Sequence, residues 1–286
     1  MYALTGASGH LGRLVLKHLL TWVPANQLIA TTHQPEKLAG IATQGVVVRY
    51  ADFSDPATLL AAFAGATRLL LISTEVLGRQ RVAGHKVAIA GAVTAGVSHI
   101  VYTSVPKADP NASHPILADH GQTELALAAS GLTWTALRNN FYAEVLKGFT
   151  DLLLIDGQLL IPQAQGKHSW VIRQDCARAA AGALAGRLAD IGPVEVSGPQ
   201  ALSFADVAER LSRISGRTIT AQALPDHEII ARVVAKGVPA DTAGFMVEMA
   251  SWLARDLSTM PTDAVERASG IRPSPVDAVL SAAVAA

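Results

Sequence analysis

Three glycines near the start of the chain have a spacing that suits the binding of a diphosphate. Gly6, Gly9 and Gly12 lie in the segment TGASGHLG, between the apolar run YALT and the amphipathic stretch RLVLKHLLTWV. Glycine within a regular element costs about 0.5–1 kcal/mol relative to alanine, so three of them need a reason. Between a first strand and a first helix, glycines allow a tight turn and a close approach of the backbone to a pyrophosphate.

The spacing of this segment is G-x-x-G-x-x-G, whereas the longer-known dinucleotide fingerprint is G-x-G-x-x-G. Its place between a strand and a helix therefore carries the prediction, because the helix N-terminus then presents unpaired N–H groups to the anion. We predict that the turn binds a dinucleotide rather than serving only as a structural turn. The predicted residues are Gly6, Ala7, Ser8, Gly9, His10, Leu11 and Gly12.

The residues after the second strand bear on the choice of cofactor. An acid at this point accepts hydrogen bonds from the ribose 2′-hydroxyl in NAD-selective sites, but here QLIATT ends in Thr32 and is followed by His33. An uncharged residue tolerates a 2′-phosphate, which His33 or Lys37 could contact, although histidine binds phosphate less firmly than arginine. We predict NADPH, with NADH as an alternative. The other interpretation is that His33 is a solvated loop residue.

The segment YADFSD follows the third strand and offers contacts for the adenine. Asp52 would accept a hydrogen bond from the amino group, and the Phe53 ring would lie alongside the base. Asp55 precedes Pro56, and we prefer a helix-capping role for it.

Composition narrows the class of protein. The 286 residues carry 23 basic and 23 acidic side chains, so no global field would attract nucleic acid or an anionic membrane. Cys176 is the single cysteine, which excludes an internal disulfide and fits a reducing compartment. No apolar run approaches the roughly 20 residues that cross a bilayer. We expect a cytoplasmic protein that binds neither nucleic acid nor membranes and holds no metal.

Short apolar runs alternate with amphipathic stretches through the first half of the chain. The runs YALT, QLIATT, VVVRY, RLLLIS, HIVYTS and TWTALR are typical of parallel strands that are buried on both faces. Because crossovers between parallel strands are right-handed, the alternation predicts a doubly wound α/β fold with a parallel sheet.

Beyond about residue 150 helices dominate, and Ser203 and Asp206 have the spacing of a capping box. We predict a dinucleotide-binding domain over residues 1–150, to whose sheet later segments return. A smaller, mainly helical lobe over residues 151–286 would bind the substrate and be interleaved with that domain.

Four segments carry a family resemblance: TGASGHLG, ADFSD, IVYTS and SGLTWTALRNNFYAE. They resemble the NmrA-like atypical short-chain dehydrogenases, and within that family the NAD(P)H:quinone oxidoreductases of type 2 and the triphenylmethane reductases. The resemblance runs over most of the chain and is clearest through residue 145. It implies a Rossmann-fold domain, a small C-terminal lobe, and NADPH as the reductant of an electron-poor acceptor.

The acid pair of ordinary short-chain dehydrogenases is missing. Those enzymes use Tyr-x-x-x-Lys on one helix, but no tyrosine here has a lysine four residues later. Relatives outside this subgroup often carry the lysine at the position of His120, and Ile116 lies where the tyrosine would be. Thr103 and Ser104 lie at the end of the fifth strand, where a catalytic serine is usual.

Certain acceptors can be reduced without that acid. Hydride transfer to a quinone forms a phenolate, whose conjugate acid has a pKa of roughly 10, so that water suffices as the proton donor. A carbocationic dye needs no proton at all. The missing tyrosine argues against alcohol dehydrogenase or epimerase chemistry and favours hydride transfer to a planar, delocalised acceptor.

Candidate residues for this reaction follow the fourth, fifth and sixth strands. By the resemblance, His120 lies near the nicotinamide ribose, whereas on its own it would be interpreted as a helix-surface residue. Polar and aromatic residues after the sixth strand suit a flat acceptor, although a simple helix start explains them equally well. The predicted catalytic residues are His120, Asn139 and Tyr142, and the predicted acceptor contacts are Asn140, Phe141 and Tyr142. Thr74, Glu75 and Val76 are predicted to border the nicotinamide, and the predicted cofactor-binding residues also include Ser73, Thr103, Ser104 and His120.

Two other classes of function remain open at this point. One is a non-catalytic redox sensor that binds the dinucleotide and a regulatory protein, although such proteins commonly have a degraded glycine motif. The other is a reductase that acts on a dye, an imine or an isoflavone-like enone. A homodimer is also left open.

Overall fold

The computed structural model describes residues 1–256 and 259–284 of the chain. Its strands are β1 (Tyr2–Leu4), β2 (Leu28–Thr32), β3 (Val47–Tyr50), β4 (Arg68–Leu71), β5 (His99–Ser104), β6 (Thr133–Asn139), β7 (Leu154–Ile155), β8 (Gln158–Pro162), β9 (Gly192–Val196) and β10 (Thr220–Leu224). Its α-helices are α1 (His10–Leu19), α2 (Ala39–Ala42), α3 (Ala57–Phe63), α4 (Arg79–Thr94), α5 (Pro115–Ala128), α6 (Val145–Leu153), α7 (Arg173–Leu184), α8 (Phe204–Ser215), α9 (Asp226–Ala235), α10 (Ala240–Asp256), α11 (Ala264–Ser269) and α12 (Asp277–Val284).

The described chain forms two compact units, and each consists of three segments. The first unit contains Met1–Asn139, Gln174–Val196 and Asp263–Ile271. The second contains Asn140–Arg173, Ser197–Thr262 and Arg272–Ala286. The functional division at residue 150, into a dinucleotide-binding domain and a substrate-binding lobe, stays a prediction.

The first unit is built on a seven-stranded sheet with the order β3-β2-β1-β4-β5-β6-β9. All neighbouring strands in it are parallel. The predicted doubly wound α/β fold is thereby confirmed. The strand order changes direction between β1 and β4, and open α/β sheets bind their ligands at such a switch point, beyond the carboxyl ends of the strands.

The central strands are buried on both faces because apolar side chains alternate between two packed layers. Every residue of β2 and β5 is buried, and one of the layers packs Leu59, Phe63 and Ile89 against the sheet. Strand β3 is different: it lies at the edge of the sheet and none of its residues is fully buried. Our expectation of two buried faces is wrong for this strand, since an edge strand has a neighbour on one side only.

The second unit contains a three-stranded sheet in which β8 pairs in parallel with β10 and antiparallel with β7. Helices α6, α9 and α10 pack on β8, and α8 packs on β10. Helix α8 begins with the predicted capping box: the Ser203 hydroxyl accepts from the Asp206 amide, and the Asp206 carboxylate accepts from the Ser203 amide. Within the described part of the chain, no helix has both the length and the apolar character needed to span a membrane.

Candidate functional site

Glycine is required at one position of the turn between β1 and α1 and at one position in the first turn of α1. Gly6 has a φ of +59°, which L side chains rarely adopt. A Cβ on Gly12 would lie 2.3 Å from the Gly6 carbonyl oxygen and 2.7 Å from the Ala7 Cα. These backbone atoms cannot move aside as a side chain would. Gly12 therefore allows α1 to pack directly on the turn, which is the role of the third glycine in a dinucleotide-binding turn.

The start of α1 fits an anion. The helix begins at His10 after Gly9, and no side chain in the described ranges caps it. The first turn contains no acidic residue, and the last turn contains the cation Lys17, which matches the helix dipole. The first amide groups of α1 thus remain available, which is the property of a diphosphate site. A tight turn that requires glycine, beside an uncapped helix start, fits the predicted dinucleotide.

The carboxyl ends of β1 and β2 lie side by side and form the region predicted for the adenosine end. The Ser8 hydroxyl is 2.7 Å from the Thr32 hydroxyl, and the Gln34 amide donates to Thr32 Oγ1 at 3.0 Å. His33 and Lys37 are both exposed at this place. Their contact with a 2′-phosphate stays a prediction.

Arg13 is a basic residue of this region that the sequence analysis missed. Its Nε donates to the Ser8 carbonyl at 2.8 Å, and its Nη2 donates to the Lys37 carbonyl at 3.0 Å. These bonds join the glycine turn to the segment after β2 and leave three guanidinium N–H groups for other acceptors. Both partners are neutral, so the charge stays available for a phosphate. The available signal was an arginine directly after the last glycine.

Asp52 and Phe53 follow β3, as expected, but Asp52 already has local partners. Its Oδ1 accepts from the amide and the hydroxyl of Ser54, at 2.8 and 2.7 Å, and these bonds hold the pKa of its carboxyl below the usual value. Phe53 is half-buried against the core. Asp55 Oδ1 accepts from the amide of Ala57, the first residue of α3, at 3.1 Å, but the N-cap position itself is Pro56 and has no side-chain cap. The adenine contacts stay predictions.

The residues after β4 approach the end of β5. The Ser73 amide donates to Thr103 Oγ1 at 2.8 Å, and Thr103 donates onward to the Ser73 hydroxyl. Thr74 Oγ1 is buried and has no partner among the described atoms, whereas the Glu75 side chain is exposed. A buried hydroxyl without a partner costs free energy, and a bound ligand would remove that cost.

Ser104 is committed to a carboxylate and is not free to donate to a substrate. Its hydroxyl donates to Glu124 Oε1 at 2.6 Å, and Arg138 donates to both oxygens of the same carboxylate, at 3.0 and 2.7 Å. The hydrogen bond with Glu124, against the opposing effect of burial, raises the pKa of Arg138. The arrangement can hold the end of β5 in place, but it cannot supply a proton through Ser104.

His120 lies in the buried interior of the first unit, 4% exposed. Its Nδ1 is 2.7 Å from the Tyr102 hydroxyl, and its Nε2 is 3.4 Å from Arg81 Nη1. Burial, together with the charge of Arg81, lowers the pKa of His120 to about 3. Both ring nitrogens therefore have protein partners and the ring is neutral. A direct bond from His120 to a ribose hydroxyl stays a prediction and requires one of these contacts to open.

Asn139 ends β6 in the first unit, and its Oδ1 is a second buried atom without a partner in the described ranges. The three residues that follow belong to the second unit. There Phe141 packs edge-on against Trp252 at 5.6 Å, and the Arg173 guanidinium lies 4.9 Å from the centre of the Tyr142 ring. Asn140 is buried. Their contact with an acceptor stays a prediction.

The sheet thus brings most of the predicted cofactor residues to one edge. The glycine turn, the ends of β2 and β5, and the loop after β4 all lie at the carboxyl ends of neighbouring strands. Among the described residues, no group of three or more His, Cys, Asp or Glu side chains could hold a metal ion.

Comparison with known proteins gives consistent matches. The family model described as NAD(P)H-binding matches residues 6–185. The chain is 36% identical to quinone oxidoreductase 2 of Escherichia coli strain K12 over 250 residues, which is 87% of this chain and 86% of that protein.

Two solved structures match over nearly the whole chain. The first is the NADPH-dependent quinone oxidoreductase of Escherichia coli in complex with NADPH, with a TM-score of 0.87 and 31% sequence identity. The match covers 99% of this chain and 99% of that chain. The triphenylmethane reductase of Citrobacter sp. in complex with NADP(H) has a TM-score of 0.86 at 29% identity, and also covers 99% of both.

Proposed function

The chain belongs to the NAD(P)H-binding family, and from this membership we propose that it is a reductase that transfers hydride from NADPH to a quinone. The observation that carries the proposal is the 36% identity to a quinone oxidoreductase over 87% of the chain. The likeness to the NADPH complex of a quinone oxidoreductase, over 99% of both chains, supports the choice of cofactor.

The residues at the carboxyl edge of the sheet fit NADPH. Gly6, Gly9 and Gly12, with the first amides of α1, would hold the diphosphate. Arg13, His33 and Lys37 would hold the 2′-phosphate, because the arginine supplies the permanent charge that a neutral histidine lacks. Thr74 Oγ1 and Asn139 Oδ1, two of the buried atoms without a hydrogen-bond partner in the described ranges, are available for the polar edge of the nicotinamide.

When bound, NADPH supplies the hydride; the chain supplies binding and orientation. Ser104 donates to Glu124, and Tyr102 is buried with its pKa raised, chiefly by burial, so neither side chain is suited to give a proton. A hydroquinone anion, whose conjugate acid has a pKa of roughly 10, can take its proton from water. We propose Asn139 and Tyr142 as residues that orient cofactor and acceptor, Asn140 and Phe141 as acceptor contacts, and His120 as a residue that acts through its neighbours.

The test is a steady-state assay of NADPH oxidation with a panel of small quinones. Quinone-dependent loss of the NADPH absorbance at a one-to-one stoichiometry is the expected result. Calorimetric binding of NADPH without turnover of any quinone would contradict a reductase and indicate a redox sensor. No binding of either reduced nucleotide would contradict the role of the glycine turn.

A second candidate substrate class is a cationic triphenylmethane dye, which the 29% identity and full coverage of the Citrobacter reductase support. Decolourisation of such a dye with NADPH, at a kcat/KM above that of every quinone, would favour this candidate. The missing acid pair fits both classes, since neither needs an enzymatic proton donor.

We propose the cytoplasm as the location, on the ground of the single cysteine in 286 residues. A homodimer remains a prediction without a structural argument. Fractionation of cells and analytical ultracentrifugation, respectively, test these two points.

A further inference from the structure

A group of buried polar side chains lies behind the loop that connects β4 to α4. It comprises six residues of the first unit, here called the polar cluster: Arg81, His85, Tyr102, Asp119, His120 and Thr123. Each of the six is at most 7% exposed. Charged and imidazole groups are costly to bury, so a cluster of this size requires an explanation beyond packing.

Three members of the polar cluster bond to alternate backbone groups of the loop. The Thr74 amide donates to His85 Nε2 at 3.2 Å, Arg81 Nε donates to the Val76 carbonyl at 2.7 Å, and the Gly78 amide donates to Asp119 Oδ2 at 2.7 Å. The loop side chains themselves contribute little, because Val76 is 50% and Leu77 55% exposed. The path of the loop is therefore set from behind, by side chains of α4 and α5.

Within the polar cluster, each hydrogen bond has only one possible direction from donor to acceptor. The backbone amide of Thr74 can only donate, so His85 Nε2 must accept its hydrogen bond. The other ring nitrogen of His85, Nδ1, therefore carries the proton and donates to Thr123 Oγ1 at 3.0 Å. The Thr123 hydroxyl in turn donates to the backbone carbonyl of Asp119 at 2.9 Å.

The guanidinium of Arg81 can likewise only donate. His120 Nε2 therefore accepts from Arg81, and His120 Nδ1 donates to the Tyr102 hydroxyl. Arg81 also lies 3.9 Å from Asp119 in an ion pair. Each imidazole has one tautomer, so the polar cluster has one arrangement.

We propose that the polar cluster is a positioning device: it holds the loop so that the Thr74 hydroxyl binds the polar edge of the nicotinamide. The proposal rests on the proposed function and assigns Arg81, His85 and Asp119 roles that the sequence did not suggest, whereas Thr74 was already predicted to border the nicotinamide. Thr74 is the loop residue with a buried hydroxyl and no described partner, and its own amide is the one that His85 holds. Arg81, His85 and Asp119 are positioning residues, and His120 supports Arg81.

The first experiment uses NADPH and a fragment that lacks the nicotinamide, 2′-phosphoadenosine diphosphoribose. In calorimetry, Arg81→Met, His85→Leu and Thr74→Val are each expected to weaken NADPH binding about tenfold and to leave the affinity for the fragment unchanged. His85→Gln keeps an acceptor for the Thr74 amide and is expected to restore part of the loss. Equal weakening of NADPH and the fragment, or no weakening of either, would overturn the proposal.

The second experiment measures amide exchange in the free protein. Loss of the polar-cluster contacts in Arg81→Met and His85→Leu is expected to speed exchange in residues 73–78 by about tenfold or more, whereas Thr74→Val is expected to leave it unchanged. Exchange at the wild-type rate in both polar-cluster variants would refute positioning.

Arg68→Met is the matched control for both experiments. Arg68 also donates to two carbonyls, those of Leu184 and Ala183 at 2.8 Å each, but it does so at the amino end of β4. We expect it to cost stability and to leave loop exchange and nicotinamide binding unchanged. If the control shifts both readouts as Arg81→Met does, the effect is general destabilisation and the proposal fails. If the wild type reduces no quinone, the proposed function fails, and these binding and exchange readouts still decide the role of the polar cluster.

Discussion

Gly12 is the residue at which the backbone tolerates no side chain. Its built Cβ lies 2.3 Å from a carbonyl oxygen of the same turn. We predict that Gly12→Ala weakens NADPH binding by at least about tenfold, because the turn must open to admit the methyl group. Gly40→Ala is the control, since a Cβ there meets nothing within 4 Å. Calorimetry with both variants tests this prediction, and equal NADPH affinity in the two would contradict it.

Arg13 is predicted to select NADPH over NADH. Replacement by methionine removes the permanent cation beside Ser8 and Lys37, so the dissociation constant for NADPH should rise about tenfold while that for NADH stays the same. Lys17→Met is the matched control, because Lys17 is exposed one helical turn further along α1. A parallel loss for both nucleotides in Arg13→Met would indicate a structural role only.

How far the sequence predicts a single residue depends on where its partners lie. The glycine turn was predictable because its partners are within six residues of it. The partners of His120 are 18 and 39 residues away, so its bonds to Tyr102 and Arg81 could not be inferred from helix position. The partners of Arg13 are 5 and 24 residues away, so only its place directly after the last glycine could have indicated it. Asp52 is the reverse case: Asp-x-Ser is a local turn signal, and we passed over it in favour of an adenine contact.

At the scale of elements, Glu124 ties α5 to both β5 and β6. Its carboxylate bonds to Ser104 and to Arg138, with side-chain exposures of 9% for Glu124 and 20% for Arg138. We predict that Glu124→Gln lowers the free energy of unfolding by about 3 kcal/mol, because the partly buried arginine charge then keeps only its longer ion pair, with Glu195 at 3.7 Å. Urea denaturation measures the change.

The control for this prediction is Asp151→Asn. The Asp151 ion pair with Lys147 is about half exposed, and exposed pairs contribute at most about 1 kcal/mol. If Glu124→Gln costs no more than Asp151→Asn does, Glu124 is not a tie between these elements.

The alternation of strands and helices was predictable because it depends on periodicity along each segment. The link that the Glu124 carboxylate makes between α5, β5 and β6 was not predictable, because it depends on how those elements pack.

At the scale of the whole molecule, the buried histidines make stability depend on pH. Burial, and secondarily Arg81, lowers the pKa of His85 and of His120 to about 3. The unfolded chain binds protons near pH 6.5 and the folded protein does not, so the free energy of unfolding falls as pH drops from about 6.5 towards 3. At pH 5 the loss is about 2 kcal/mol for each histidine.

Urea denaturation at several pH values tests this dependence. His120→Gln is expected to flatten the slope below pH 6.5, whereas His227→Gln, at an exposed position, should leave it unchanged. A stability that is constant between pH 7.5 and 5 in the wild type would contradict the buried, neutral state of the two rings.

The chain order of the first unit has a consequence for synthesis. Helix α11 packs on α7 so closely that a Cβ on Gly182 would lie 2.1 Å from the Ala268 carbonyl oxygen, and β9 pairs with β6. A nascent polypeptide that has emerged only to Asn139 carries six strands of the sheet and leaves the β6 edge open, which is a template for aggregation. The first unit is therefore complete only once its third segment, Asp263–Ile271, has been made.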